Sequence, residues 1–169
     1  MALNVVLYQP EIPPNTGNIL RTCAATNVKV HLIKPLGFSL DEKYIKRSSA
    51  NYMEHAEYTL YENWDDFIGR NKGQFIFLTR YGKKPHSDHD YTNTDEDYYL
   101  IFGSESSGIP KEILSNHLDT CYRLPMNEHI RSLNLSNCVA ILVYEALRQQ
   151  DYPSLSLTEV QKGADFLEE

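Results

Sequence analysis

The hydrophobic positions fall into short blocks along the chain, and the spacing inside each block predicts a strand or a helix. Compact runs of β-branched and aromatic residues between turn residues are typical of strands buried in a parallel sheet. The segments with this pattern are Leu3–Tyr8, Val28–Lys34, Phe75–Thr79, Tyr98–Phe102 and Cys121–Leu124. Apolar residues at helical spacing predict helices between them. These helices are Asn18–Thr26, with Asn15 or Thr16 as N-cap, Glu62–Arg70, Ile109–Asn116 and Leu135–Gln150, with weaker patterns at Asp41–Ser48 and Ser156–Leu167.

Strands that alternate with helices over this length indicate an α/β fold with a mainly parallel sheet flanked by helices. The 169 residues fit one domain, which we expect to span 1–169. Ligands of such sheets bind in the loops beyond the carboxyl ends of the strands. The loops after Tyr8, Leu78, Phe102 and Leu124 are therefore the first places to look for chemistry.

Composition narrows the protein class. Hydrophobic residues make up 41% and charged residues 23%, which is ordinary for a globular protein. No apolar run reaches the ~18 residues of a membrane span, and the N-terminus has no signal-peptide pattern, so a cytoplasmic protein is expected. The odd number of cysteines, Cys23, Cys121 and Cys138, predicts reduced thiols that pack as small hydrophobic side chains.

The formal net charge of −7 does not favour a nucleic-acid binder, because such domains are usually basic. A local basic patch still acts within a Debye length of ~8 Å. The candidate residues for such a patch are Arg21, Lys43, Lys46, Arg47, Arg80, Lys83, Lys84 and Arg131. Each of them taken singly is more often a solvated surface charge.

The first candidate loop leads from Asn15 through Gly17 and Asn18 to Arg21. A helix N-terminus with a nearby guanidinium suits a phosphate group. A simple helix cap followed by a surface arginine explains the same residues.

The second candidate loop, 103–110, is polar and begins and ends near Gly103 and Gly108. It matches neither a nucleophile elbow, nor a Walker loop, nor a dinucleotide-binding glycine motif. A binding loop and a plain turn both remain open. The third candidate loop, 125–137, has more asparagines and serines at a helix start than one cap requires.

Two further patterns are weaker. His86 and His89 could ligate a metal, but no third ligand has a recognisable spacing, so we expect no metal. Tyr144 lies in the middle of the predicted helix Leu135–Gln150, where a core position and a role in handling protons are both possible.

Taken together, the three loops resemble the signature motifs of the SPOUT methyltransferases. The first loop is similar to N-x-G-N-x-x-R, and the second to G-x-E-x-x-G-[IL]-P. The third is similar to [IL]-P-M followed by R-S-[LM]-N-[LV]-S. The matching positions are Asn15, Gly17, Asn18, Arg21, Gly103, Glu105, Gly108, Ile109, Pro110, Leu124, Pro125, Met126, Arg131, Ser132, Leu133, Asn134, Leu135 and Ser136. Order and spacing both agree, and both ends of the chain resemble the small TrmL-type members most.

The resemblance implies a C-terminal deep trefoil knot, a homodimer and S-adenosyl-L-methionine as methyl donor. It implies cofactor contacts at Leu78, Gly103, Leu124 and Ser132. It also implies that Arg21 is essential, while Asn15, Glu105, Asn134 and Tyr144 are catalytic-site candidates that shape the site or handle protons. An arginine stays protonated at neutral pH, so Arg21 would stabilise developing negative charge more readily than remove a proton, and its role as a base stays open.

The substrate implied by the TrmL-type resemblance is the wobble ribose of tRNA, at cytidine or a modified uridine in the anticodon stem-loop. A second hypothesis keeps the chemistry and makes ribosomal RNA the substrate. A third is a non-catalytic α/β module that binds RNA or nucleotides through the same loops. Binding of S-adenosylmethionine would separate the last hypothesis from the first two.

Overall fold

Six parallel strands form the centre of the protein in a computed structural model that describes residues 2–39 and 57–169. The strands are β1 Leu3–Tyr8, β2 Lys29–Ile33, β3 Tyr58–Tyr61, β4 Gln74–Leu78, β5 Tyr98–Phe102 and β6 Cys121–Tyr122. They lie in the order β3-β2-β1-β5-β4-β6, and each pair of neighbours is parallel. The predicted α/β fold with a mainly parallel sheet is confirmed.

Helices flank this sheet. The α-helices are α1 Pro13–Thr26, α2 Trp64–Arg70, α3 Lys111–Leu114 and α4 Leu135–Gln149, and the 3-10 turns are His86–Asp88, Leu118–Thr120 and Phe166–Glu168. No helix within residues 2–39 and 57–169 is both long and apolar enough to cross a membrane.

Each face of the sheet carries its own hydrophobic core because successive strand residues point to opposite faces. Along β1, Val5 and Leu7 join the core beneath α1 and α4, whereas Val6 joins the core that holds Phe67 of α2. Strand β5 is buried at all five positions, as expected for an inner strand covered on both faces. This burial on both faces explains why the strand reads as a continuous apolar run.

Next to the second core lie two buried polar side chains that bind each other, His31 of β2 and Asn4 of β1, which are 6% and 3% exposed. His31 Nδ1 shares a hydrogen bond of 2.8 Å with the Tyr61 hydroxyl, and its Nε2 shares one of 2.8 Å with Asn4 Oδ1. Burial, reinforced by the positive charges of Lys29 and Arg70, lowers the pKa of His31 to about 4. The imidazole is therefore neutral in the folded protein at physiological pH.

The last helix, α4, is tied to the long loop that follows β4. Gln149 Nε2 donates to the carbonyl oxygen of His89 at 3.0 Å, and Gln149 Oε1 accepts from the Tyr91 N–H at 2.8 Å. This helix also packs against α1. The chain thus returns after β6 to lie between the first helix and the loop 79–97.

The start of the first helix was predicted wrongly, and one strand was missed. Helix α1 begins at Pro13, so Asn15 and Thr16 are inside it, and Ile12 occupies the N-cap without a side-chain cap. A proline in the first turn needs no N–H partner, which favours this earlier start. Strand β3 at Tyr58–Tyr61 was missed because its four residues are too few for a clear alternation.

The predicted helix at Ser156–Leu167 does not form, and only the turn Phe166–Glu168 is helical there. Almost all of this tail is exposed, and a short helix without a packed face is only marginally stable in water. The backbone also leaves the helical region just before it, at Asp151, Tyr152 and Ser154 with positive φ. The prediction for Asp41–Ser48 lies outside the described residues.

Candidate active site

Four loops at the carboxyl edge of the sheet meet around one cavity of about 520 Å³. They follow β1, β4, β5 and β6, the loops selected above, and parallel strands bring them to the same edge. The expected cofactor positions Leu78, Gly103, Leu124 and Ser132 all line this cavity, together with the predicted site residues Asn15, Glu105 and Asn134. The volume lies within the range usual for small-molecule sites.

The wall of the cavity has an apolar part and a polar part. Leu78, Phe102 and Leu124 come from three strand ends and give a hydrophobic surface. The backbone of the loop 103–108 supplies peptide groups, and Ser104 and Ser107 are hydrogen-bonded to each other through their hydroxyls at 2.7 Å. An apolar floor with convergent polar groups suits a ligand that joins a flat heterocycle to polar ends.

The carboxylate of Glu105 fastens the loop after β5 to the loop after β1. Its Oε1 accepts the N–H of Glu11 at 2.9 Å, while its Oε2 accepts the N–H of Ile12 at 2.9 Å and Asn15 Nδ2 at 3.1 Å. These donors lie at the start of α1, where free N–H groups favour a negative charge. Glu105 therefore ties a distant loop to the residues around the N-terminus of α1.

Asn15 extends this connection to the third loop. It is 6% exposed, and its Oδ1 accepts Asn134 Nδ2 at 3.1 Å. Asn134 in turn caps α4, because its Oδ1 accepts the Ser136 N–H at 2.9 Å. The chain Glu105–Asn15–Asn134 thus joins all three motif loops, which makes these side chains positioning groups for the cavity.

Glu11 and Glu105 together form a clamp between the loop after β1 and the loop after β5. Glu11 was not singled out from the sequence. Its Oε1 accepts the Ser106 N–H at 3.0 Å and the Ser106 hydroxyl at 2.5 Å. These two hydrogen bonds lower the pKa of Glu11. The only sequence signal was a carboxylate directly after a buried strand, since its partner lies 95 residues away.

Gly103 is required at the entrance of the second loop. A Cβ at this position would lie 2.2 Å from the carbonyl carbon of Gly108 and 2.4 Å from the Ile109 nitrogen. Gly108 has a φ of +68°, a region that a side chain disfavours. Both glycines therefore let the loop fold back tightly on itself beside the cavity.

Two predicted residues do not line the cavity of their own chain. Arg21 is exposed on α1, and Tyr144 is 47% exposed on α4, so the core interpretation of Tyr144 is wrong. Each belongs to an outward stripe at helical spacing. On α1 the stripe is Pro14, Asn18, Arg21 and Ala25, and on α4 it is Asn137, Ile141, Tyr144 and Arg148.

The mouth of the cavity is basic in an acidic protein. Of the described residues that line the cavity, three are cationic, Arg80, Arg123 and Arg131, and one is anionic, Glu105, which leaves a net charge of +2. The other residues of the predicted basic patch do not form one group. Lys84 donates to the carbonyl oxygen of Asp119, Lys83 is exposed, and Lys43, Lys46 and Arg47 lie outside the described residues.

One of the two histidines considered for metal binding is held by hydrogen bonds. His89 is hydrogen-bonded at both ring nitrogens, to the Tyr122 hydroxyl and to Gln74 Oε1, each at 2.9 Å. Within the described ranges, no group of three or more His, Cys, Asp and Glu side chains could hold a metal ion. The cysteines Cys23, Cys121 and Cys138 are free and buried, as predicted, and burial raises the pKa of Cys23 to about 12.

Comparison with known proteins identifies the family. The model of the SpoU rRNA Methylase family matches residues 2–144. The chain belongs to this family. The methyltransferase class inferred from the three loops is thereby confirmed, and with it the C-terminal trefoil knot of the fold.

Relatives match along nearly their whole length. A Bacillus subtilis (strain 168) protein, provisionally named a tRNA (cytidine(34)-2′-O)-methyltransferase, is 57% identical over 156 residues, which is 92% of this chain and 98% of the relative. The tRNA (cytidine(34)-2′-O)-methyltransferase of Methylovorus glucosotrophus (strain SIP3-4) is 46% identical, with 88% of this chain and 96% of the relative covered.

Solved structures agree with these relatives. A structure described as giving insights into the 2-OH methylation of C/U34 on tRNA has a TM-score of 0.82 and 36% identity, covering 89% of this chain and 97% of that chain. An AdoMet-bound rRNA methyltransferase from Sinorhizobium meliloti has a TM-score of 0.77 and 25% identity. The match covers 87% of this chain but 56% of that protein.

Proposed function

We propose that this protein transfers a methyl group from S-adenosyl-L-methionine to the 2′-hydroxyl of cytidine 34, or a modified uridine 34, in tRNA. The observation that carries this proposal is the likeness to tRNA (cytidine(34)-2′-O)-methyltransferases over almost their full length. A cytoplasmic location follows from this function, because the substrate is tRNA.

The cavity fits S-adenosyl-L-methionine in size and chemistry. Leu78, Leu124 and the strand end Phe102 offer the apolar surface that an adenine ring requires. Gly103 and the loop it begins bring peptide groups close to the ligand, and Ser132 adds a hydroxyl to the wall. When bound, the cofactor supplies an electrophilic methyl group.

The residues of the chain contribute position and exclusion of water. Glu105, Asn15 and Asn134 fix the relative places of the three loops. Rigid loops keep an acceptor hydroxyl aligned, and alignment is worth about 7–11 kcal/mol in well-oriented reactions. The guanidinium of Arg21 stabilises the charge that develops on the 2′-oxygen and binds a neighbouring phosphate.

Arg21 reaches the acceptor only if the site includes more than one chain. It lies six residues beyond Asn15 on α1, about 9 Å along the helix axis at 1.5 Å per residue, and does not line the cavity of its own chain. A homodimer that packs the outward stripes of α1 and α4 together would bring the partner subunit's Arg21 and Tyr144 to this cavity. The apolar Ile141, 39% exposed on the α4 stripe, suits such contact.

The first experiment is methyl transfer from labelled cofactor to total tRNA, followed by mapping of the modified nucleotide. We expect a single 2′-O-methyl group at nucleotide 34. A methyl group on tRNA outside the anticodon loop would contradict the substrate assignment, and no transfer at all would favour a non-catalytic module.

The shared site is tested by complementation. Arg21→Ala and Ser132→Trp should each be inactive alone. When co-expressed in equal amounts, half of the dimers are mixed and one of their two sites is intact, so about a quarter of the activity should return. No recovery in verified mixed dimers would contradict a site shared between subunits.

Ribosomal RNA is the second candidate substrate, favoured by the name of the family. The AdoMet-bound rRNA methyltransferase is much longer than this chain, which covers only 56% of it. Parallel assays with ribosomal RNA and tRNA separate the two candidates, and we expect the faster transfer to tRNA.

A further inference from the structure

An aromatic side chain stands exposed at the mouth of the cavity. Tyr81 lines the cavity and is 72% exposed, and the Arg80 guanidinium lies 5.3 Å from the centre of its ring. Leu78, at the end of β4, is three residues earlier and forms part of the apolar wall. The ring therefore belongs to the rim of the cavity, outside its apolar interior.

The turn that carries the Tyr81 ring is held in place by hydrogen bonds and close packing. The N–H groups of Tyr81 and Gly82 donate to Thr79 Oγ1 at 3.2 Å and to the Thr79 carbonyl oxygen at 3.1 Å. Arg123 Nη1 donates to the carbonyl oxygen of Arg80 at 2.7 Å. A Cβ on Gly82 would lie 2.5 Å from the carbonyl carbon of Tyr122, so the turn rests directly on β6. An exposed ring on a fixed turn loses little conformational entropy when a ligand stacks on it.

The charge around the ring selects the ligand. Arg80, Arg123 and Arg131 line the cavity, and Glu105 is the one acidic residue among the described residues that line it. Its carboxylate already accepts three N–H groups. A positive rim on a chain of net charge −7 attracts a polyanion at this place. Aromatic rings beside cationic side chains bind single-stranded nucleic acid by stacking on bases and neutralising phosphates.

We propose that Tyr81 and Arg80 form a stacking platform for the base next to the acceptor nucleotide in a single-stranded RNA loop. This inference rests on the proposed function and names the group that positions its substrate. Tyr81 holds the flanking base on its ring, and Arg80 contacts the adjoining phosphate. The acceptor ribose is thereby held over the cavity, where the methyl group is transferred.

The test uses steady-state methylation of an anticodon stem-loop by the full-length protein. Tyr81→Leu should raise KM about 5- to 150-fold, the range that 1–3 kcal/mol per stacked base gives, with kcat little changed. Tyr81→Phe keeps the ring and should stay near wild type. Arg80→Gln should raise KM less and flatten its salt dependence.

Two control variants lie at the amino ends of the strands, whereas the cavity lies at their carboxyl ends. Leu118→Ala removes a side chain that is 71% exposed before β6, and Lys72→Gln removes an exposed charge before β4. Neither should change KM. Equal melting temperatures would show that all variants fold, and calorimetry with S-adenosylmethionine should give wild-type affinity for Tyr81→Leu.

A stem-loop with an abasic site beside nucleotide 34 makes the test specific. An abasic site on one side of the acceptor should raise the KM of the wild type by the same factor as Tyr81→Leu. When the abasic site and Tyr81→Leu are combined, KM should rise no further than with either change alone. Independent, multiplying effects at both flanking positions would overturn the platform. Weakened cofactor binding with unchanged RNA KM would overturn it too, because the ring would then contact the cofactor.

The two proposals fail differently. Normal methylation at nucleotide 34 with an unchanged KM for Tyr81→Leu overturns the platform alone. If the wild type transfers no methyl group to nucleotide 34, the proposed function fails and the platform fails with it.

Discussion

Replacing Glu105 with glutamine tests whether the clamp between the motif loops organises the cavity. The carboxylate accepts three hydrogen bonds, two from the backbone at Glu11 and Ile12 and one from Asn15. Glutamine keeps one acceptor oxygen and places an amide NH2 where the second was. At least one of the three donors then loses its acceptor.

The expected magnitude follows from these contacts. A hydrogen bond to a charged group contributes about 1.5–3 kcal/mol, and a lost acceptor adds the cost of the unsatisfied donor. Because the contact with Ile12 is exposed to solvent, we take the lower end and expect about 2 kcal/mol. For a domain of this size, that lowers the melting temperature by about 4–8 °C.

The assay is thermal unfolding at fixed protein concentration, together with calorimetric titration of S-adenosylmethionine. Glu105→Gln should weaken cofactor binding as well as stability, because the loop that begins at Gly103 lines the cavity. Glu112→Gln is the matched control, since Glu112 is exposed on α3 and should shift neither quantity measurably. A Glu105→Gln protein with wild-type melting temperature and cofactor affinity would refute the positioning role.

Three further predictions concern Arg21, Ile141 and His31. Arg21→Ala should abolish methyl transfer but leave S-adenosylmethionine affinity within about twofold, and Arg21→Lys should rescue poorly because lysine lacks the planar fork. Near-normal turnover of Arg21→Ala would remove it from the mechanism. Ile141→Asp should turn the proposed homodimer into an inactive monomer in sedimentation, whereas an active monomeric wild type would contradict the proposed homodimer. Because burial lowers the pKa of His31 from 6.5 to about 4, the unfolded state binds a proton first as pH falls. The contribution of His31 to the free energy of unfolding is fully present above pH 6.5 and decreases below it, by about 2 kcal/mol at pH 5. Urea unfolding of His31→Gln should lack this contribution, and an identical pH slope would contradict it.

The sequence alone was enough to predict most of the fold. The strands Leu3–Tyr8 and Tyr98–Phe102 were predicted with the bounds that the structure has, because both are buried on two faces and carry uninterrupted apolar runs. The last long helix was also predicted, to within one residue at its end. Local periodicity determines such elements, since burial repeats with the period of the secondary structure.

Only the tertiary structure decided how the loops join. The sequence shows Asn15, Glu105 and Asn134 as separate polar residues in three loops, 90 and 119 residues apart in their contacts. It gives no sign that Glu105 binds the segment before α1 and the side chain of Asn15. Hydrogen bonds between distant segments depend on how the sheet orders its strands, and no local pattern contains that order.

For the same reason, some of the predicted site residues line the cavity and others do not. Leu78, Gly103, Leu124 and Ser132, which the resemblance proposes as cofactor contacts, line one cavity because parallel strands end at a common edge. Motif spacing could not show that Arg21 and Tyr144 face outward, since helical spacing fixes which residues share a stripe but not what covers that stripe. The sequence determined which residues are candidates for the chemistry, and the packing of α1 and α4 on the sheet decided which of them one chain can bring together.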